Sequence, residues 1–209
     1  MKIVAVSMRV DEYRPYSETR DSLDHRWTKF LDCVGLVPFL VPNVLSYRAY
    51  QYLASEVNLC GLILTGGNDL GSINDGVNVS LERDTTEKKL IEHCIDHQLP
   101  IVGVCRGMQI LVEYFGGNLS KVENHVRKNH IIEFVDPKIR SLETNSFHSF
   151  APDRGSLPEA LEVVANSQDG EIEAISHNFL PIKGIMWHPE RYSKFHRFDL
   201  NLFEQAFNL

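Results

Sequence analysis

Cys105 lies in Gly103-Val104-Cys105-Arg106-Gly107, a G-x-C-x-G spacing between an apolar run, Ile101 to Val104, and the helix-like stretch Met108 to Phe115. A strand that turns sharply into a helix lifts the side chain at the turn above the sheet edge. Glycines flank such an elbow because neighbouring backbone comes too close for a Cβ. The sulfur then stands at a helix N-terminus, whose partial positive charge stabilises a thiolate. That is the setting of a nucleophile. By itself the motif weighs evenly against a buried cysteine in an α/β core.

A second segment, Trp187-His188-Pro189-Glu190, tips that balance. With Ile182 to Trp187 read as a strand, residues two apart point the same way, so His188 and Glu190 share a face and Pro189 restricts the link between them. Alone, His188 reads as a strand-end histidine satisfied by local polar groups and Glu190 as an exposed carboxylate. Together they supply a base and a carboxylate that orients it, completing a Cys-His-acid triad with Cys105.

These residues resemble the class I glutamine amidotransferases, and within them the free-standing gamma-glutamyl hydrolase branch of peptidase C26 type. Leu62-Ile-Leu-Thr-Gly-Gly-Asn-Asp69 looks like that branch's strand and Gly-Gly-x-Asp loop. Thr144-Asn-Ser-Phe-His148 is similar to its Asn-Ser-x-His segment, and Ser167 to Ala174 matches a late-strand pattern. The matches run in family order along essentially the whole chain.

The resemblance implies a three-layer α/β fold, flavodoxin-like, with a mostly parallel central sheet flanked by helices. It also implies cysteine-dependent hydrolysis of a γ-glutamyl amide that releases glutamate, with no metal or organic cofactor. Cys105 attacks, His188 moves the proton and Glu190 holds the imidazole. The backbone N–H of Arg106, directly after the nucleophile, is one expected oxyanion donor; by resemblance Gly67 supplies the other. Gln109 corresponds to a glutamine that contacts the glutamyl group. Asn145, Phe147 and His148 match the segment that binds its α-amino and α-carboxylate groups. Ser149 stands where many relatives carry a second histidine. A narrower resemblance runs to the gamma-glutamyl-CDP-amidate hydrolases of capsule phosphoramidate biosynthesis, whose leaving group is nucleotide-linked. Two other functions compete: a glutaminase subunit serving a separate synthetase, and a silent binding protein, against which the intact triad argues.

Other features narrow the class further. At 209 residues and 43% hydrophobic content the chain can bury a sizeable core, so one domain over 1–209 is expected. A formal charge of −7 with no long basic block argues against nucleic acid or an anionic membrane as partner. The first apolar run is broken by Ser7 and Arg9, which fits neither a signal peptide nor a membrane span. Cys33, Cys60, Cys94 and Cys105 show no C-x-x-C spacing, so reduced thiols and a cytoplasmic location are expected. His93 and His97 have i,i+4 spacing but no further ligand pattern, and a polar helix face is the simpler reading.

The elements that must position the site alternate. Strands are expected at Lys2–Met8, Leu36–Val41, Cys60–Leu64 and Ile101–Val104, with helices over Asp21–Val34 (ended by Gly35) and Ser46–Val57, and one opened by an Asp84-Thr-Thr-Glu87 capping box. After Asn124 the text becomes strand-like at 131–135, 161–165, 171–176 and 182–187, before a closing amphipathic helix around Phe195–Phe207. Such alternation argues for a parallel sheet with helices on both faces. Gly71 to Val79 reads as a mobile loop and Asp69 as a loop cap. Tyr13, Arg14, Tyr16 and Arg20 follow the first strand at the sheet end where α/β sites form; solvated surface is the default for each, and a phosphate contact the sharper alternative.

Overall fold

The computed structural model describes residues 1–73 and 78–209. In chain order, β1 (Lys2–Ser7) leads into β2 (Arg9–Tyr13) and β3 (Glu18–Ser22). Then come α1 (His25–Val34), β4 (Leu36–Val41), α2 (Tyr47–Val57), β5 (Leu59–Leu64), α3 (Leu81–Asp96), β6 (Ile101–Val104) and α4 (Arg106–Tyr114). The later part contains β7 (Leu119–Lys121), β8 (Val126–Phe134), β9 (Leu142–Phe147), β10 (Phe150–Pro152), β11 (Leu161–Ser167), β12 (Ile172–His177), β13 (Ile182–Ile185) and α5 (Arg197–Ala206).

The main sheet has the order β4-β1-β5-β6-β13-β12-β11-β8-β9 among the described residues. Its first five strands are parallel. From β12 outward the pairing is antiparallel. The parallel part must be covered on both faces, because βα crossovers place a helix on each side.

Alternation along the strands shows the two faces directly. Val4, Val6, Ile63, Val102 and Val104 pack with Trp27, Phe30 and Leu31 of α1 and Phe203 of α5. Their neighbours Ala5, Leu62, Leu64 and Ile101 pack on the opposite side with Tyr50 of α2, Leu90 and Ile91 of α3, and Ile110 and Leu111 of α4. The period of two thus divides the side chains between two cores, giving three layers. Phe30 is fully buried and meets Phe203 and Phe195 edge-on, at 4.9 and 5.2 Å between ring centroids. Truncating such a ring costs about 3–5 kcal/mol.

Local signals set most boundaries, and three expectations need correction. α1 begins at His25, capped by Asp24, whose carboxylate accepts the Arg26 N–H at 2.9 Å; Asp21 instead lies near the end of β3 and accepts the Asn43 N–H at 3.0 Å. Gly35 closes α1 in the left-handed region, φ +86°, as expected. α3 begins at Leu81 behind a Ser80 cap, so Asp84 and Glu87 are interior helix residues and form no capping box. Finally, β13 ends at Ile185, and Pro189–Arg191 forms a 3-10 turn, so the extended path expected through Glu190 is broken. The β2–β3 hairpin is an element that the sequence pattern does not announce. Of the loop expected at Gly71–Val79, residues 74–77 lie outside the described residues. Asp69 bridges to Val79, and its N–H donates to Asn78 O at 2.9 Å, in keeping with a structural role. Among the described residues no helix is long and apolar enough to cross a membrane.

Candidate active site

Neighbouring strands bring the ends of the site together. β6 and β13 pair in parallel with Val104 opposite Ile185, and the Cys105 N–H donates to Ile185 O at 2.7 Å. Cys105 therefore leaves the sheet beside the segment that carries His188. It adopts φ +53°, ψ −108°, an unusual conformation for a residue with a side chain, at the turn into α4. The flanking glycines allow this close turn: a Cβ on Gly107 would lie 2.1 Å from Leu64 O, and one on Gly103 would lie 2.5 Å from Gly107 O. Strain of this kind is held in place by surrounding structure and clusters at functional sites.

His188 is fixed on several sides. Its backbone N–H donates to Asn145 Oδ1 at 2.9 Å, and its carbonyl accepts from Asn145 Nδ2 at 2.8 Å. The Asn145 N–H in turn donates to Tyr192 Oη at 2.9 Å. The preceding Trp187 is wholly buried and donates Nε1–H to Asp199 Oδ1 at 2.9 Å. His188 Nδ1 lies 2.8 Å from Glu190 Oε1, both side chains being 2% exposed, and Cys105 stands close enough to the same imidazole to raise its pKa. Burial alone pushes His188 down, but the Glu190 carboxylate and then Cys105 outweigh it and raise its pKa to about 9. The arrangement favours an imidazolium held between the carboxylate and the sulfur. By contrast, burial pushes the Cys94 thiol up to about 12, the state of an inert core cysteine.

A buried ionic cluster holds the two walls of the site. Arg83 on α3 donates to Thr65 O at 2.7 Å, Gly66 O at 3.1 Å and Asn68 Oδ1 at 3.1 Å, fixing the Gly-Gly-Asn-Asp loop. Its Nε donates to Glu87 Oε1 at 2.8 Å. The Arg106 guanidinium, just after Cys105, pairs with Glu87 and Asp84 on the same helix. One face of α3 thus ties loop to elbow. Burial would raise the Glu87 carboxyl, but Arg106 and Arg83 hold it below the usual range. Gly67 takes φ +102° in that loop, where a Cβ would lie 2.9 Å from Arg9 Cβ.

A cleft of about 270 Å³ opens here, with Cys105, Gly67 and Arg106 at its wall. A larger cavity of about 520 Å³, between α2 and the start of α3, contains none of these groups. Of the other expected contacts, Gln109, Phe147 and His148 also line the cleft. Gln109 is buried, not solvent-facing, and donates Nε2–H to Phe150 O at 2.8 Å. Asn145 is engaged with the His188 backbone and does not line the cleft, so its observed role is positional.

Tyr13, Arg14, Tyr16 and Arg20 belong to the hairpin and its tip, outside the cleft lining; Arg20 stacks 4.4 Å over Tyr13 and donates to Glu18 at 2.8 Å. The arginines that do reach the cleft are Arg9, Arg106 and Arg191, the last 4.3 Å over the Phe147 ring. Arg9 was within reach of sequence reasoning, because it lies two residues beyond the C-terminal end of β1. His93 and His97 stack 4.1 Å apart, with His97 Nδ1 2.8 Å from His93 O, as a local helix-end contact.

Comparison with known proteins gives a consistent result. Residues 2–190 match the family model described as Peptidase C26. The chain is 36% identical over 192 residues to a gamma-glutamyl-CDP-amidate hydrolase of Campylobacter jejuni, covering 90% of each sequence. It is 28% identical to a glutamine-hydrolyzing GMP synthase subunit of Methanosphaera stadtmanae, over 80% of this chain and 82% of that one. Among solved structures, a Thermoplasma acidophilum protein described as a GMP synthase subunit superposes with a TM-score of 0.72 at 20% identity, covering 100% of this chain and 93% of that one. A glutamine amidotransferase of Thermotoga maritima gives 0.64 at 15% identity, covering 99% and 82%. The structural neighbours share the three-layer α/β fold.

Proposed function

Because the chain belongs to the Peptidase C26 family, we propose that it hydrolyses the γ-glutamyl amide bond of a small metabolite, with Cys105 as nucleophile. The observation that carries this reading is the contact chain from Cys105 through His188 to Glu190, buried at the wall of an open cleft. The thiol proton passes to His188 before attack, and the sulfur then adds to the γ-carbonyl carbon with the ring standing as imidazolium. The oxyanion that forms is stabilised by the backbone N–H groups of Arg106 and Gly67, donors held rigid by the α3 ion cluster. Collapse breaks the C–N bond, and the imidazolium protonates the departing nitrogen. Water, deprotonated by His188, then attacks the thioester, releasing glutamate and restoring the thiol. Glu190 orients the ring and stabilises its cationic form throughout.

The substrate class we favour carries an anionic, nucleotide-linked leaving group, such as gamma-glutamyl-CDP-amidate. The identity to the Campylobacter jejuni hydrolase and two arginines at the cleft, Arg9 and Arg191, support it. A guanidinium meets phosphate with charge-assisted, bidentate hydrogen bonds. A second reading, a glutaminase subunit that passes ammonia to a separate synthetase, is favoured by the likeness to the glutamine-hydrolyzing GMP synthase subunits.

Assaying glutamate release by the isolated chain from glutamine, simple γ-glutamyl amides and a phosphate-bearing γ-glutamyl compound separates the two. A hydrolase turns over at least one substrate unaided, and a folded Cys105→Ala variant does not. Activity that appears only after a synthetase is added would favour the second reading. Substantial turnover by Cys105→Ala would remove the nucleophile from the mechanism.

A further inference from the structure

Behind the His148 wall of the cleft lies a buried group of side chains that the proposed chemistry does not use. His125, just before β8, His148, just after β9, and Glu173 on β12 are 1%, 3% and 0% exposed. Their donor atoms form a nearly equilateral triangle. His125 Nδ1 is 3.3 Å from His148 Nε2 and 3.3 Å from Glu173 Oε1, and His148 Nε2 is 3.2 Å from the same oxygen.

We propose that this triangle is a binding site for a divalent transition-metal ion, Zn²⁺ foremost, held by His125 Nδ1, His148 Nε2 and Glu173 Oε1. Ligands about 2.0–2.1 Å from a tetrahedral ion stand about 3.3–3.4 Å apart, which is the spacing found here. Two imidazoles and a carboxylate form a donor set suited to zinc.

The contacts around the triangle point the same way. His125 Nε2 lies 3.0 Å from Asp169 Oδ2, and Asp169 also accepts a hydrogen bond from Ser167. A carboxylate oxygen accepts, so Nε2 carries a proton; without metal the ring is cationic, its pKa raised to about 9 by Glu173 and then Asp169, and an ion in the triangle takes the place of the Nδ1 proton. A histidine whose outer N–H is held by a carboxylate is the usual support of a metal ligand. Both Glu173 oxygens and His148 Nδ1 lack a well-directed hydrogen bond, although they are buried. A proton on one ring can satisfy one edge of the triangle; a metal ion satisfies all three donors at once.

The scaffold is also prepared for it. The His125 carbonyl accepts from Ser146 Oγ at 2.6 Å and from the His148 N–H at 3.1 Å, while the Glu173 carbonyl accepts from the Met186 N–H at 2.8 Å. His130 Nε2, 3.6 Å from Glu173 Oε1, stands beside the triangle, and a water or this ring would complete the coordination. The site departs from the cofactor-free expectation drawn from the sequence, because its ligands come from three separated segments with no motif spacing. Its role is to lock the cleft wall between His148 and Phe150 onto β12.

The test is metal binding by the intact chain after chelator treatment, using Zn²⁺ calorimetry and Co²⁺ visible spectra. One ion per chain is expected in wild type and in Cys105→Ala alike, without a thiolate charge-transfer band from cobalt. Glu173→Gln should lose the ion. Asp169→Asn should weaken it about 10- to 100-fold. Because the Asp169 side chain is 57% exposed, that variant keeps the question open to measurement even where Glu173→Gln fails to fold. Absence of binding in wild type, loss of the ion in Cys105→Ala, or unchanged affinity in either folded acidic variant would overturn the proposal.

Discussion

Glu190→Gln tests the electrostatics of the site with little change in shape. The carboxylate lies 2.8 Å from His188 Nδ1, both groups are buried, and the His188 pKa stands at about 9 against an ordinary value of 6.5. Burial opposes that elevation, so it depends on the neighbours, Glu190 before Cys105. Replacing the charge-assisted bond by a neutral one removes about 1.5–3 kcal/mol. At about 1.36 kcal/mol per unit, the His188 pKa should fall by about 1–2 units. On the proposed mechanism the imidazolium protonates the leaving nitrogen, so wild-type kcat/KM should fall as pH rises through about 9. In Glu190→Gln this alkaline limb should move to between about 7 and 8. The same elevation has a stability consequence. Its contribution is fully present below pH 6.5 and is lost as pH rises through about 9. Glutamate release measured across the pH range, with variant folding checked by circular dichroism, decides the matter. An alkaline limb that stays in place in a folded Glu190→Gln enzyme would refute the coupling, and with it the imidazolium reading.

Three further outcomes are expected. His188→Ala should reduce kcat almost as far as Cys105→Ala, with Glu190→Gln less severe; wild-type kcat in His188→Asn would contradict the assigned base. Glu87→Gln breaks a fully buried pairing with Arg83 and Arg106, so chemical denaturation should show a loss of about 3–5 kcal/mol, and a change under about 1 kcal/mol would show that the cluster does not fix the loop. Arg9→Ala should lower kcat/KM for a phosphate-bearing γ-glutamyl substrate by about ten- to a hundredfold while sparing an uncharged amide, whereas Arg20→Ala should spare both; equal losses on both substrates in Arg9→Ala would argue against phosphate recognition.

Legibility in the sequence follows locality. The elbow is readable because its tightness is enforced by neighbours in sequence, Gly103 and Gly107. His188 and Glu190 pair as their spacing suggests, but for a different backbone reason: a 3-10 turn, not continued strand, brings Glu190 Oε1 to the imidazole. Asp84 and Glu87 carry a capping-box spacing, yet their carboxylates serve Arg106, on the elbow helix about twenty residues later. Spacing alone does not distinguish a cap from an interior ion partner. Asn145 matches a ligand-contact segment, although its amide geometry serves the His188 backbone. The His125–His148–Glu173 triangle is invisible in the sequence, since only the antiparallel pairing of β8, β9, β11 and β12 brings those residues together.

The insertion of β13 beside β6 governs when this site can exist during synthesis. β5 and β6 are made long before residues 182–185, and β13 must then enter between β6 and β12. Until it does, the far edge of β6 lacks its final partner, and such an edge readily pairs with other chains. The segment immediately after β13 carries His188 and Glu190. Closing the sheet and arming the sulfur are consequently one late, long-range event of the kind that slows folding. On the proposed mechanism, a growing chain therefore displays Cys105 without its base, and activity reports completion of the sheet.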